Sequence, residues 1–125
     1  MTKILLVEDN LISQKMMFYT FKAQGLAADV ASDGFQAVDM ALKGDYDVIL
    51  MDIMMPGIDG YQATANIRQK EADSGKRAFI IGLTGNVYDS ERQKCLDAGM
   101  DDYMSKPFDI EIFKEIMEHN GISLP

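Results

Sequence analysis

Chemically reactive side chains follow short apolar segments at four places in the chain. Three are carboxylates, one is a hydroxyl and one is an ammonium group: Glu8, Asp9, Asp52, Thr84 and Lys106. Carboxylates that lie close together repel one another unless a cation is bound, and hard oxygen ligands suit Mg²⁺. A carboxylate beside such a cation can attack phosphorus, and a lysine and a hydroxyl can stabilise the phosphoryl oxygens. These residue types therefore fit Mg²⁺-dependent phosphoryl transfer, provided that the fold brings them together.

The elements that would position these residues are strands and helices in strict alternation. Short apolar runs predict strands at residues 3–7, 26–31, 47–51, 78–83 and 102–104. Capping residues and helical periodicity predict helices at about residues 10–24, 34–43, 61–71 and 89–98, and a last one after Asp109. The polar residues 72–77 are predicted to form a loop.

Five strands that alternate with five helices predict an α/β fold with a doubly wound, five-stranded parallel sheet. Helices would cover both faces of this sheet. Of the two common strand orders, the flavodoxin-like order 2-1-3-4-5 suits a five-strand chain. Ligands of such sheets bind beyond the carboxyl ends of the strands where the order reverses, which here is between the first and third strands. The reactive side chains are expected to converge at this edge.

Each of these residues also has a simpler explanation. Glu8 and Asp9 could form a turn and a helix cap, Asp52 could cap a turn, and Thr84 could be an ordinary strand-end residue. Lys106 could be a surface lysine. Their joint placement after four of the five strands is what favours a site.

The first predicted helix carries an unusually wide apolar arc. Its members are Ile12, Met16, Met17, Phe18, Tyr19 and Phe21. Such an arc indicates either deep burial or a partner surface, and the sequence is consistent with both.

The composition excludes several classes of protein. The 125 residues fit one domain, residues 1–125, and the net charge of −8 argues against nucleic acid as a direct ligand. No apolar run reaches the length of a membrane span and no signal peptide is evident, so we expect no membrane association and a cytoplasmic location. Cys95 is the only cysteine and His119 the only histidine, which excludes an internal disulfide and multi-histidine metal sites.

The chain resembles the receiver domains of two-component response regulators over essentially its whole length. The resemblance rests on four segments: LLVEDN at 5–10, VILMDIMMP at 48–56, LTGN at 83–86 and AGMDDYMSKP at 98–107. The segments DNLISQ at 9–14 and SERQKCLDAG at 90–99 look most like receivers attached to hybrid histidine kinases.

The resemblance implies that Asp52 is phosphorylated from the phosphohistidine of a histidine kinase or a histidine phosphotransfer protein. Mg²⁺ would be arranged by Glu8, Asp9 and Asp52, with the backbone carbonyl of Met54 as a further ligand. The positions of Met54 and Asn86 tune the phosphoryl lifetime in this family.

The resemblance also implies how phosphorylation is transmitted. Thr84 and Lys106 would hold the phosphoryl group, and Tyr103 would turn inward as Thr84 moves. Pro107 matches a proline that usually follows a cis peptide bond. The surface of the fourth helix, fifth strand and fifth helix would then change for a downstream protein target.

Two other functions remain open at this point. Phosphatases of the haloacid dehalogenase type also use a strand-end aspartate and Mg²⁺, but they need a second aspartate where this chain has Met54. A protein-interaction module that is never phosphorylated could keep the same fold, although the complete set of reactive residues argues against it. Beyond its own phosphorylation and slow dephosphorylation, the chain is expected to turn over no substrate.

Overall fold

A computed structural model describes residues 2–85 and 89–124. Within these residues, five strands and five helices alternate. The strands are β1 (Ile4–Val7), β2 (Ala28–Ala31), β3 (Val48–Asp52), β4 (Phe79–Thr84) and β5 (Asp102–Ser105). The helices are α1 (Leu11–Ala23), α2 (Gly34–Lys43), α3 (Gly60–Ser74), α4 (Asp89–Ala98) and α5 (Ile110–His119).

The strands form one parallel sheet in the order β2-β1-β3-β4-β5, which confirms the predicted doubly wound, flavodoxin-like topology. The order reverses between β1 and β3, where Val7 is the register partner of Met51. Glu8 and Asp52, the next residues along each strand, are therefore neighbours at the carboxyl edge of the sheet. Asp52 in turn pairs with Leu83, the residue before Thr84.

The sheet is covered on both faces, so every residue of β1 and β3 is fully buried. Alternate residues of a strand point to opposite faces, and the core is accordingly split in two. Leu5 and Ile49 face the layer of α2, α3 and α4, whereas Leu6 and Leu50 face the layer of α1 and α5. Burial on both faces explains why these strands are continuous apolar runs rather than alternating patterns.

Polar residues at the starts of the helices fix where each helix leaves the sheet. Asn10 caps α1 by accepting a hydrogen bond from Ser13 N, and Asp33 caps α2 in the same way. Asp59 forms a capping box with Gln62 at the start of α3. The cap at Asn10 makes α1 begin directly after Glu8 and Asp9, which keeps both carboxylates at the sheet edge.

Two predicted boundaries were wrong, one by two residues and the other by three. β2 begins at Ala28 rather than at residue 26, because the amide of Leu26 donates to the carbonyl of Phe21 and closes the end of α1. This bond and the left-handed Gly25 form a Schellman motif. α3 continues to Ser74, so the predicted loop at 72–77 is shorter than expected.

The wide apolar arc of α1 is only partly buried. Met17 and Phe21 lie in the core, but Ile12, Met16 and Tyr19 are exposed. Deep burial was therefore the wrong explanation for these three residues. Within the described parts of the chain, every helix is too short or too polar to cross a lipid bilayer.

Candidate functional site at the carboxyl edge of the sheet

Three carboxylates meet at the edge predicted from the strand order. One oxygen each from Glu8, Asp9 and Asp52 lies within 4.8 Å of the other two. Glu8 and Asp52 are buried, whereas Asp9 is exposed. The site thus opens to solvent on the Asp9 side and is closed by protein around Asp52.

Lys106 supplies the positive charge of this cluster. Its Nζ lies 2.7 Å from Asp52 Oδ1 and 3.9 Å from Glu8 Oε2. The Asp52 side chain is fully buried while that of Lys106 is 37% exposed, so the ammonium group approaches from the solvent side. The Lys106–Pro107 peptide bond is cis, and the amide of Lys106 donates to the carbonyl of Thr84 at 2.8 Å. The structure therefore brings Lys106 to the carboxylates as predicted.

The two oxygens of Asp52 differ in their surroundings. Oδ1 contacts Lys106 and lies 3.4 Å from the amide nitrogen of Met54. Oδ2 is buried and has no hydrogen-bond partner among the described residues. A buried carboxylate oxygen without a partner is costly, and a hard cation shared with neighbouring carboxylates would remove that cost. The donor set and this unpartnered oxygen fit Mg²⁺.

Glu8 is held on several sides at the end of β1. Its amide donates to the carbonyl of Ala31 at 3.1 Å, and its Oε1 accepts from the amide of Asn10 at 3.0 Å. Burial raises the pKa of Glu8 to about 7, and the nearby carboxylate of Asp52 adds to this effect against the opposing Asn10 amide and Lys106. Without a metal ion, Glu8 therefore keeps its proton to a higher pH than an exposed glutamate does.

The position of Asp52 depends on a glycine that the sequence analysis did not single out. The amide of Gly60 donates to the carbonyl of Ile53 at 2.9 Å, which presses the start of α3 against the end of β3. A Cβ atom on Gly60 would lie 2.4 Å from the carbonyl oxygen of Asp52. An Asp-Gly pair such as 59–60 is typical of a turn, and here it also marks a close approach between backbones.

The other predicted residues lie at the end of β4, within β5 and directly after β5, at different depths. Thr84 is buried at the end of β4 and pairs with Ser105. Tyr103 is half-buried and packs against the core on the α2–α4 face. Pro107 is exposed directly after Lys106. Asn86 lies outside the described residues.

Comparison with known proteins assigns the family. The sequence model of the family described as response regulator receiver domain matches residues 4–118. Hybrid signal transduction histidine kinase B of Dictyostelium discoideum is 41% identical over 114 residues, covering 84% of this chain and 6% of that protein. Sensor histidine kinase RcsC of Escherichia coli is 34% identical over 114 residues, covering 91% of this chain and 12% of that protein. The chain thus spans only a small part of these relatives.

Solved structures agree with this assignment. One of them is the receiver domain of sensor histidine kinase PA1611 from Pseudomonas aeruginosa, whose crystal structure has a magnesium ion in the active site cleft. It aligns with a TM-score of 0.83 and 42% sequence identity, over 94% of this chain and 95% of that one. A chain in the co-crystal structure of the Saccharomyces cerevisiae phosphotransfer protein Ypd1 with the receiver domain of Ssk1 aligns with a TM-score of 0.88 and 28% identity, over 94% of this chain and 87% of that one. The chain belongs to the response regulator receiver domain family.

Proposed function

We propose that this receiver domain accepts a phosphoryl group on Asp52 from the phosphohistidine of a histidine kinase or a histidine phosphotransfer protein. The observation that carries this proposal is the buried Asp52 carboxylate, which has one oxygen without a partner among the described residues and lies close to two other carboxylates and Lys106. Glu8, Asp9, Asp52 and the carbonyl of Met54 would hold Mg²⁺, which when bound supplies positive charge to the transferring phosphoryl group.

The transfer is a single displacement at phosphorus. A carboxylate oxygen of Asp52 attacks, the new O–P bond forms, and the P–N bond of the phosphohistidine breaks with its electron pair returning to the imidazole. Lys106 Nζ donates hydrogen bonds to the phosphoryl oxygens, and we assign the same role to the Thr84 hydroxyl. Burial of Asp52 excludes water from the nucleophile, which strengthens these interactions.

Phosphorylation would then change the balance of charge at this edge. The phosphoryl group adds roughly 1.5 to 2 negative charges by analogy with other phosphoresidues. Lys106 and Thr84 are drawn toward it, and Tyr103 fills the space beside β4. The surface of α4, β5 and α5 is thereby reshaped, and a downstream protein target distinguishes the two packed states.

The proposal extends to the setting of the reaction. We place it in the cytoplasm, where the ATP that charges histidine kinases is made. We expect no turnover of a separate substrate, because Met54 stands where a phosphatase of the haloacid dehalogenase type needs an aspartate. Hydrolysis of a phosphomonoester by the purified chain would contradict this.

Incubation with Mg²⁺ and a small acyl phosphate tests the assignment of Asp52. Intact-mass analysis should show one added phosphoryl group on the wild-type chain and none on Asp52→Asn. Asp59→Asn is a matched control, because Asn caps a helix about as well as Asp and residue 59 lies outside the carboxylate cluster. Full labelling of the Asp52→Asn variant would overturn the proposal.

A further inference from the structure

Gln14 connects two loops at the carboxyl edge of the sheet. It lies in the first turn of α1, and its side-chain Nε2 donates to the carbonyl oxygen of Glu8 at 2.5 Å and to Ser32 Oγ at 3.0 Å. Both amide hydrogens are therefore used, one on the residue that follows β1 and one on the residue that follows β2. Neither bond belongs to the phosphoryl-transfer chemistry itself.

The hydrogen bond to the Glu8 carbonyl constrains the backbone next to Asp9. The carbonyl of Glu8 belongs to the planar peptide group that joins Glu8 to Asp9, so Gln14 fixes the orientation of this plane. The next plane contains the amide of Asn10, which donates to Glu8 Oε1 at 3.0 Å. With both flanking peptide planes held, the direction of the Cα–Cβ bond of Asp9 is set.

Asp9 depends on this backbone support. Its side chain is exposed and makes no hydrogen bond or ion pair with any residue that the structure describes. Asp52 and Glu8, by contrast, are fixed by burial and by contacts of their own carboxylates. Of the three carboxylates, Asp9 is therefore the one whose place is set through the main chain.

We propose that Gln14 is a positioning residue for the Mg²⁺ site, because it orients the Glu8–Asp9 peptide and thereby holds the Asp9 carboxylate toward Asp52. This inference rests on the proposed function of the site. Residues that orient metal ligands change metal affinity by 10- to 100-fold when they are removed. We expect an effect near the lower figure, about tenfold, because the Asn10 bond remains when Gln14 is replaced.

The test compares Gln14→Met with Ser32→Ala. Methionine keeps the length of the side chain and removes both donors, whereas Ser32→Ala removes only the second acceptor and leaves the bond to Glu8. Calorimetric titration with Mg²⁺ should give a Kd about tenfold higher for Gln14→Met and less than twofold higher for Ser32→Ala. In labelling with acyl phosphate, the half-saturating Mg²⁺ concentration should rise by the same factor, while the rate at saturating Mg²⁺ stays unchanged.

A second measurement works without metal. Amide hydrogen exchange of the peptide that covers residues 8–12, in Mg²⁺-free buffer, should be faster in Gln14→Met than in the wild type and Ser32→Ala. Urea unfolding in the same buffer separates this local effect from a general loss of stability. If Gln14→Met fails to fold, Gln14→Leu takes its place in all of these measurements.

Two results of the Mg²⁺ titration would overturn the proposal. One is an unchanged Mg²⁺ affinity in Gln14→Met, and another is an equal loss in Ser32→Ala, which would place the effect in the β2 loop. If the wild-type chain binds no Mg²⁺, it is the proposed function that fails; the exchange rates then decide the role of Gln14, with faster exchange supporting it and equal rates refuting it.

Discussion

The buried carboxylate of Glu8 should make the stability of the metal-free protein fall as the pH rises. Its pKa is raised from 4.5 to about 7, chiefly by burial. A group with a higher pKa in the native state binds its proton more tightly there than in the unfolded chain. Below pH 4.5 Glu8 is protonated in both the native and the unfolded state, so its titration does not change the stability with pH. Between pH 4.5 and 7 only the unfolded state loses the proton, and stability falls as the pH rises. At up to about 1.4 kcal/mol per pH unit, the loss amounts to about 3 kcal/mol.

Urea unfolding in EDTA at pH 5 and pH 8 measures this loss. Between these two values the free energy of unfolding of the wild type should fall by about 2.5 kcal/mol more than that of Glu8→Gln, which has no titrating group at this position. Glu118→Gln, at an exposed site on α5, is the control and should behave as the wild type. The remaining titratable groups are common to the wild type and Glu8→Gln, so their contributions cancel in the comparison. An equal fall in Glu8→Gln and the wild type would refute the reasoning.

Three further substitutions, together with one control, probe the packing of the fold. Gly60→Ala should lower the free energy of unfolding by at least about 2 kcal/mol and slow the phosphorylation of Asp52, because the new Cβ atom would lie 2.4 Å from the Asp52 carbonyl oxygen. Unchanged urea unfolding and unchanged labelling rates would contradict this. Thr64→Val should raise stability by about 1 kcal/mol in urea, since Thr64 Oγ1 is buried and has no partner among the described residues; a loss of stability would show that a partner exists. Arg68→Met should cost about 3 to 5 kcal/mol, because its half-buried guanidinium pairs with two carboxylates and donates to two backbone carbonyls. Lys43→Met, which breaks the exposed pair with Asp39, should change the urea midpoint only slightly, and equal effects at the two positions would refute the distinction.

The strand order and the convergence of the reactive residues could be predicted from the sequence. Parallel strands end at one edge of a sheet, so residues that follow β1 and β3 must be neighbours once these strands pair. The register of Val7 with Met51 then places Glu8 beside Asp52. No knowledge of side-chain packing is needed for this step, which is why the prediction succeeded.

Features that depend on how elements approach one another could not be predicted. The two hydrogen bonds of Gln14 require α1 to lie beside the loop after β2, and the role of Gly60 requires the start of α3 to touch β3. The exposure of Ile12 and Met16 was ambiguous for the same reason, since a wide apolar arc does not reveal which of its sides meets the sheet. Leu26 was assigned to β2 because its side chain is apolar, whereas its amide closes α1.

The most direct test of the central claim is to locate the phosphoryl group on the chain. Reduction of the phosphorylated protein with borohydride converts an aspartyl phosphate to homoserine, and tandem mass spectrometry of the peptides identifies the converted residue. The account predicts homoserine at position 52 alone, only when Mg²⁺ and a phosphoryl donor were both present. Conversion at Asp9 or at another carboxylate, with Asp52 intact, would contradict it.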